Sequence, residues 1–246
     1  MFSYQIIVEY DGTEYVGWQI QKNGLSVQEV IQKTLAKVLK QKITLYGSGR
    51  TDSGVHAIGQ SAHFILKKEI KDEFLFLSTI NFFLKKKKIS ILKIIKRKKN
   101  FHSRYSAKKR YYRYIIINRI APLSLDKNRA WHIKLSLNTK LMKKAAKLLE
   151  GTKDFSTYRS SSCGSKSPVK KLERAIVVKK GSQIIITFKS KSFLQQQVRS
   201  MVGCLKFVGE NKWSLKQFKS VMKSKKRANC APPAPARGLY LLKVSY

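Results

Sequence analysis

Arg50, Thr51 and Asp52 lie in the middle of the run Gly47-Ser-Gly-Arg-Thr-Asp-Ser-Gly-Val-His-Ala-Ile-Gly-Gln-Ser-Ala-His-Phe64, where Gly47, Gly49, Gly54 and Gly59 frame a guanidinium and a carboxylate. Glycines packed that closely bend the backbone tightly, and a cation beside a carboxylate favours its charged form. A fixed, ionised carboxylate can serve as a nucleophile or as an electrostatic anchor. The plainer alternative is a turn in which Asp52 caps nearby amides.

The rest of the chain limits the chemistry available. Neither a P-loop nor a dinucleotide fingerprint is present, and no His/Cys cluster has metal-ligand spacing, so no metal and no cofactor is expected. Cys163, Cys204 and Cys230 are odd in number, scattered and without a Cys-x-x-Cys pair. Neither a disulfide framework nor a zinc site follows, and a reducing, cytoplasmic location fits best. No apolar run reaches membrane-spanning length, and the N-terminus lacks the basic start of a signal peptide, so neither a membrane anchor nor a targeting segment is expected. With 52 Lys and Arg against 13 Asp and Glu, the net charge of +39 favours a polyanionic partner such as nucleic acid. Most of the basic residues are Lys, which an AT-rich genome also produces, so charge alone does not establish RNA binding.

The elements that must carry the loop follow from periodicity. Residues 4–10 are β-branched and aromatic and predict a strand, closed by the turn chemistry of Asp11-Gly12-Thr13. Ser26 with Glu29 forms a capping box ahead of Val27, Val30, Ile31, Leu35, Val38 and Leu39 at helical spacing. Residues 43–46 and 60–66 are expected as the strands entering and leaving the glycine-framed loop, 74–84 as a helix and 89–95 as a strand. This βαββαβ order is that of ferredoxin-like and RNA-recognition folds. Residues 101–107 are polar and are taken as a connector, dividing the chain into domains 1–103 and 104–246. The second half repeats the order through a strand at 110–118, a helix at 138–149, a hairpin over 172–188, helices at 193–208 and 215–222 and a strand at 238–244. The expected class is α+β, with two ferredoxin-like halves whose antiparallel sheets flank a central cleft.

The string around Asp52, together with Tyr10-Asp-Gly-Thr-x-Tyr-x-Gly-Trp-Gln19, Phe101-His-Ser-Arg-Tyr-Ser-Ala107 and Phe193-x-x-x-x-Val-Arg-x-x-Val-Gly203, resembles the signatures of the TruA family of tRNA pseudouridine synthases. The resemblance spans the chain from Tyr10 to the final strand. It implies that Asp52 is the catalytic nucleophile, attacking either C1′ or C6 of the target uridine. By the match Arg110-x-Tyr112-Arg-Tyr, Tyr112 falls where the family stacks a tyrosine on the uracil, and Arg50 and Arg199 would orient the carboxylate or the sugar-phosphate. The implied substrate is tRNA at positions 38 to 40 of the anticodon arm, and the implied assembly is a homodimer. Two departures stand out: within Gln195-Gln196-Gln197 a glutamine replaces a histidine common before Val198-Arg199, and the segment Asn81 to Ile89 lacks the family's Pro and Asp and carries Lys85 to Lys88 instead. They leave a rival open, a non-catalytic RNA-binding or RNA-chaperone protein that keeps the fold.

Overall fold

β1 (Phe2–Tyr10) forms because its alternating aliphatic and aromatic residues bury Tyr4, Ile6, Val8 and Tyr10, and it becomes the centre of a sheet. β3 (His56–Leu66) and β4 (Ile89–Arg97) flank it, both antiparallel. β2 (Tyr46–Gly47) adds antiparallel to β3. Between the strands run α1 (Val27–Leu39) and α2 (Glu73–Leu84). Ser26 caps α1 by accepting from Glu29 N (3.2 Å), as the sequence predicts, and Asp72 caps α2 by accepting from Leu75 N (2.8 Å). Val27, Ile31 and Leu35 of α1 and Phe76, Ile80 and Leu84 of α2 are buried, each worth about 1.5–3 kcal/mol relative to exposure. The strand order β4-β1-β3-β2 is the split βαβ arrangement.

The computed structural model describes residues 1–246 and divides them into two units, Met1–Lys108 with Tyr240–Tyr246, and Lys109–Leu239. β10 (Leu239–Ser245) runs parallel to β3, with Tyr240 opposite His56 and Leu241 opposite Ala57. The 101–107 segment is docked within the first unit. Ser103 Oγ donates to Tyr46 O (2.6 Å) and lies 2.9 Å from His63 Nδ1, while Tyr246 Oη donates to Ser103 O (2.8 Å).

In the second unit β5 (Lys109–Asn118) and β8 (Val169–Lys180) sit on either side of β9 (Gln183–Ser190), antiparallel to it, repeating the relation of β1, β2 and β3. β6 (Trp131–Ile133) runs parallel to β5, and β7 (Gly151–Asp154) edges β8. α3 (Thr139–Leu149), α4 (Gln197–Gly209) and α5 (Leu215–Lys223) supply the helical layer. The α+β class with mostly antiparallel strands agrees with the sequence reading.

Several elements differ from expectation, among them β3, which begins at His56 instead of residue 60, and β6 and β7, which are strands where none was expected. Residues 43–45 are not strand, because Leu45 N donates to Gln32 Oε1 (3.1 Å) and Leu45 O accepts from Gln28 Nε2 (2.7 Å), so α1 side chains take the groups a partner strand would use. α4 begins at Gln197 instead of Phe193, because Gln196 adopts a left-handed conformation (φ 59°) that a helix cannot include.

His63 is buried against Tyr46, Phe101 and His102, and burial, helped by the nearby His102, pushes its pKa down to about 4. A histidine near 6.5 when unfolded and near 4 when folded stabilises the neutral native state above pH 6.5, and that stability is lost as pH falls through the lower value. The urea midpoint is therefore expected to drop between pH 6.5 and about 4, by up to about 3 kcal/mol of stability. His63→Gln should flatten that part of the profile; an unchanged slope would remove His63 as its source.

Candidate active site

The loop from Ser48 to Val55 is held from two directions. On one side the segment after β1 folds over it: Trp18 N donates to Thr51 O (3.2 Å), Gly54 N donates to Tyr15 O (3.3 Å), and Ser53 Oγ donates to the same carbonyl (3.2 Å). Tyr10 Oη and Thr51 Oγ1 share a buried hydrogen bond of 2.8 Å. On the other side Gln60, fully buried in β3, accepts from Ser48 Oγ (2.7 Å) and donates from Nε2 to Gly49 O (2.9 Å). Val55 N closes the turn by donating to Asp52 O (3.1 Å). A carboxylate-bearing loop with its backbone satisfied on both flanks is pre-organised, since no reordering precedes its use.

Within this frame Thr51 is buried and Asp52 is half-buried. Arg50 is exposed, and its Nε donates to Gln19 Oε1 (3.3 Å), the residue that follows Trp18. Trp18 is buried, as its size suggests, beside Tyr10 and over Gly47, where an added Cβ would lie 2.7 Å from the indole Cε2. His56 is also buried: its Nδ1 accepts from Gly12 N (3.0 Å) and its ring stacks on Tyr240 at 4.8 Å. Thus the two N-terminal motifs form one construction.

The lysine turn belongs to its edge. Asp11 N donates to Lys88 O (3.0 Å), Tyr15 Oη donates to Lys87 O, and Lys88 pairs with Glu14. Asn81 ties α2 to β4 by bonding both the N–H (2.8 Å) and the C=O (2.9 Å) of Ile91.

Tyr112 and Arg199 lie in the second unit. Tyr112 is buried in β5 opposite Phe188, and Phe193 meets its ring edge-on at 5.1 Å. Arg199 stands in the first turn of α4, its Nε donating to Ala234 O (2.7 Å) while Ala234 N donates to Arg199 O (3.0 Å). Next to this contact Tyr114 Oη donates to Pro235 O (2.7 Å), and burial pushes that phenol's pKa up. Gly203 allows the close approach, since a Cβ there would collide with Pro232 O. Of the three glutamines before Val198, Gln197 is buried, its Oε1 accepts from Leu194 N (2.8 Å), and its Nε2 faces Met201 Sδ at 4.0 Å. It therefore satisfies an amide at the start of α4.

Sequence reasoning missed Gln60, Thr51 and Gln19 as supports. Gln60 carried a usable signal, a lone carboxamide in an otherwise small and apolar strand. The links from Thr51 to Tyr10 and from Gln19 to Arg50 join distant positions and leave no local pattern.

The first unit is thus a split βαβ arrangement that carries a clamped Arg-Thr-Asp loop, in an α+β chain of strongly cationic composition. The family model described as tRNA pseudouridine synthase matches residues 6–106 and 145–246. A tRNA pseudouridine synthase A from Pelagibacter ubique is 58% identical over 246 residues, the full length of both chains. Those from Maricaulis maris and Paramagnetospirillum magneticum are 42% and 43% identical over 243 residues, 99% of this chain and 97% and 94% of theirs. The chain belongs to the tRNA pseudouridine synthase family, whose members are isomerases.

Proposed function

We propose that this protein isomerises uridine to pseudouridine in the anticodon stem-loop of tRNA, at positions 38 to 40, with Asp52 as the nucleophile. The observation that carries the reading is the Thr51-Asp52 loop, clamped by the 10–18 segment and by Gln60, with Asp52 itself half-buried. In the reaction the N1–C1′ bond breaks and a C5–C1′ bond forms, while the C5 proton leaves and N1 gains one. Atoms and oxidation state balance without a donor, which is why no cofactor or metal is required. The base must leave its stack, at a cost of a few kcal/mol that phosphate contacts and stacking offset. In this reading the domain carrying Asp52 supplies the nucleophile, and the domain carrying Tyr112 and Arg199 holds the base and backbone, with Arg50 orienting the substrate.

Against the non-catalytic rival stands the intact Arg50-Thr51-Asp52 motif together with Tyr112. We place the enzyme in the cytoplasm as a homodimer; no helix is long and apolar enough to cross a membrane. Sedimentation velocity tests the dimer. The activity is tested by pseudouridine formation on unmodified tRNA transcripts with anticodon-arm uridines, where tight binding without conversion would favour the rival.

Tyr112 offers a second test. Stacking on a base is worth about 1–3 kcal/mol, so Tyr112→Ala should cost roughly tenfold to a hundredfold in turnover efficiency, while Tyr112→Phe keeps most of it. Thermal unfolding of both variants separates stacking from the cavity left in β5. An equal loss in Phe and Ala would move the role to the hydroxyl.

A further inference from the structure

Cys204 and Cys230 are joined to no part of the proposed chemistry, yet their sulfurs lie 3.4 Å apart. Cys204 is buried on α4, and Cys230 is partly exposed where the 227–229 turn ends. A thiol pair at van der Waals distance needs to close by only about 1.4 Å to reach the roughly 2.05 Å of a disulfide, and the loop position of Cys230 can supply that movement. Two cysteines that merely pack as small apolar groups are the alternative.

We propose that Cys204 and Cys230 are a redox modification site, which a hydroperoxide converts into an intramolecular disulfide. The Cys230 sulfur attacks a peroxide oxygen. The O–O bond breaks, water or an alcohol leaves, and Cys230 becomes a sulfenic acid. Cys204 Sγ then attacks that sulfur: the S–S bond forms, the S–O bond breaks, and the departing hydroxide takes the Cys204 proton as water. The two thiols supply the two electrons that reduce the peroxide.

The local electrostatics assign these roles. The hydrogen bond from Cys204 and the guanidinium of Arg227 hold the Cys230 thiol below its ordinary range, which suits the attacking partner. The same hydrogen bond, together with burial, pushes the Cys204 thiol up, which suits the resolving partner. The crosslink would fasten α4 to the segment whose Ala234 receives Arg199 and whose Pro232 touches Gly203.

The test treats the full-length native protein with hydrogen peroxide, alkylates remaining thiols after denaturation and measures intact mass and peptide linkage. The expected result is a species that has lost two hydrogens and carries one alkyl group instead of three, with the Cys204 and Cys230 peptides joined and Cys163 alkylated. Cys230→Ser, at the more exposed position, should abolish the joined species, and Cys163→Ser should leave it intact. The proposal is overturned if both thiols remain alkylatable, if Cys230 advances to sulfinic acid without joining Cys204, or if the link found involves Cys163.

Discussion

Asp52→Asn is expected to abolish pseudouridine formation while tRNA binding and thermal unfolding stay close to those of the wild type. The substitution conserves size and removes the charge, so the amide cannot form the covalent bond that the proposed reaction needs. The loop itself should survive, because it is anchored by the backbone of Thr51 and Gly54, the hydroxyls of Thr51 and Ser53, and the carboxamide of Gln60. Loss of a nucleophile usually costs about 10⁴-fold or more, well beyond what displacement of a surface carboxylate would cause. Single-turnover conversion of an unmodified tRNA transcript, with filter binding in parallel, checks both halves. Turnover near the wild-type level would end the case for Asp52 as nucleophile. If the wild type also binds without converting, the protein is an RNA binder.

The glycine-framed loop was legible because its information is local: residue types that bend a backbone and residue types that carry charge stand side by side. Helix α1 was legible for the same reason, through Ser26, Glu29 and the apolar spacing behind them. The failures share the opposite cause. Residues 43–45 have strand-like composition, and only the reach of Gln28 and Gln32 from α1 decides that their backbone is occupied otherwise. The four residues from Phe193 match a helical pattern, yet the left-handed Gln196 and the docking of Phe193 on Tyr112 stop α4 from including them. Pairing of β10 with β3 joins positions nearly the whole chain apart, and periodicity within either strand carries no trace of it. The same holds for the site. Asp52 could be picked out from its neighbours in sequence, whereas Gln60, Tyr10 and the 15–18 segment become its supports only once the sheet brings them together.

The Gly17 contact turns that long-range support into a measurable effect. Gly17 has φ +111°, a conformation that side chains rarely adopt, and a Cβ placed there would lie 2.5 Å from Thr51 O and 3.2 Å from both Asp52 C and Ser53 N. Gly17→Ala must therefore either rotate the backbone ahead of Trp18 or push the Thr51-Asp52 peptide away. Rotation breaks the hydrogen bond from Trp18 N to Thr51 O, and displacement moves the proposed nucleophile directly. Strain of this kind costs about 1–3 kcal/mol, and a misplacement near 1 Å can lower turnover about 100-fold. The control is Gly181→Ala in the β8–β9 turn, where φ is also positive (+56°) but nothing lies within 4 Å of the added carbon. It bears the conformational cost alone, so its melting temperature should fall while kcat stays unchanged. Gly17→Ala should lower both, with KM for tRNA little affected because the cationic surface is unaltered. Equal kcat in the two variants would mean that the 15–18 segment stabilises the loop without positioning Asp52.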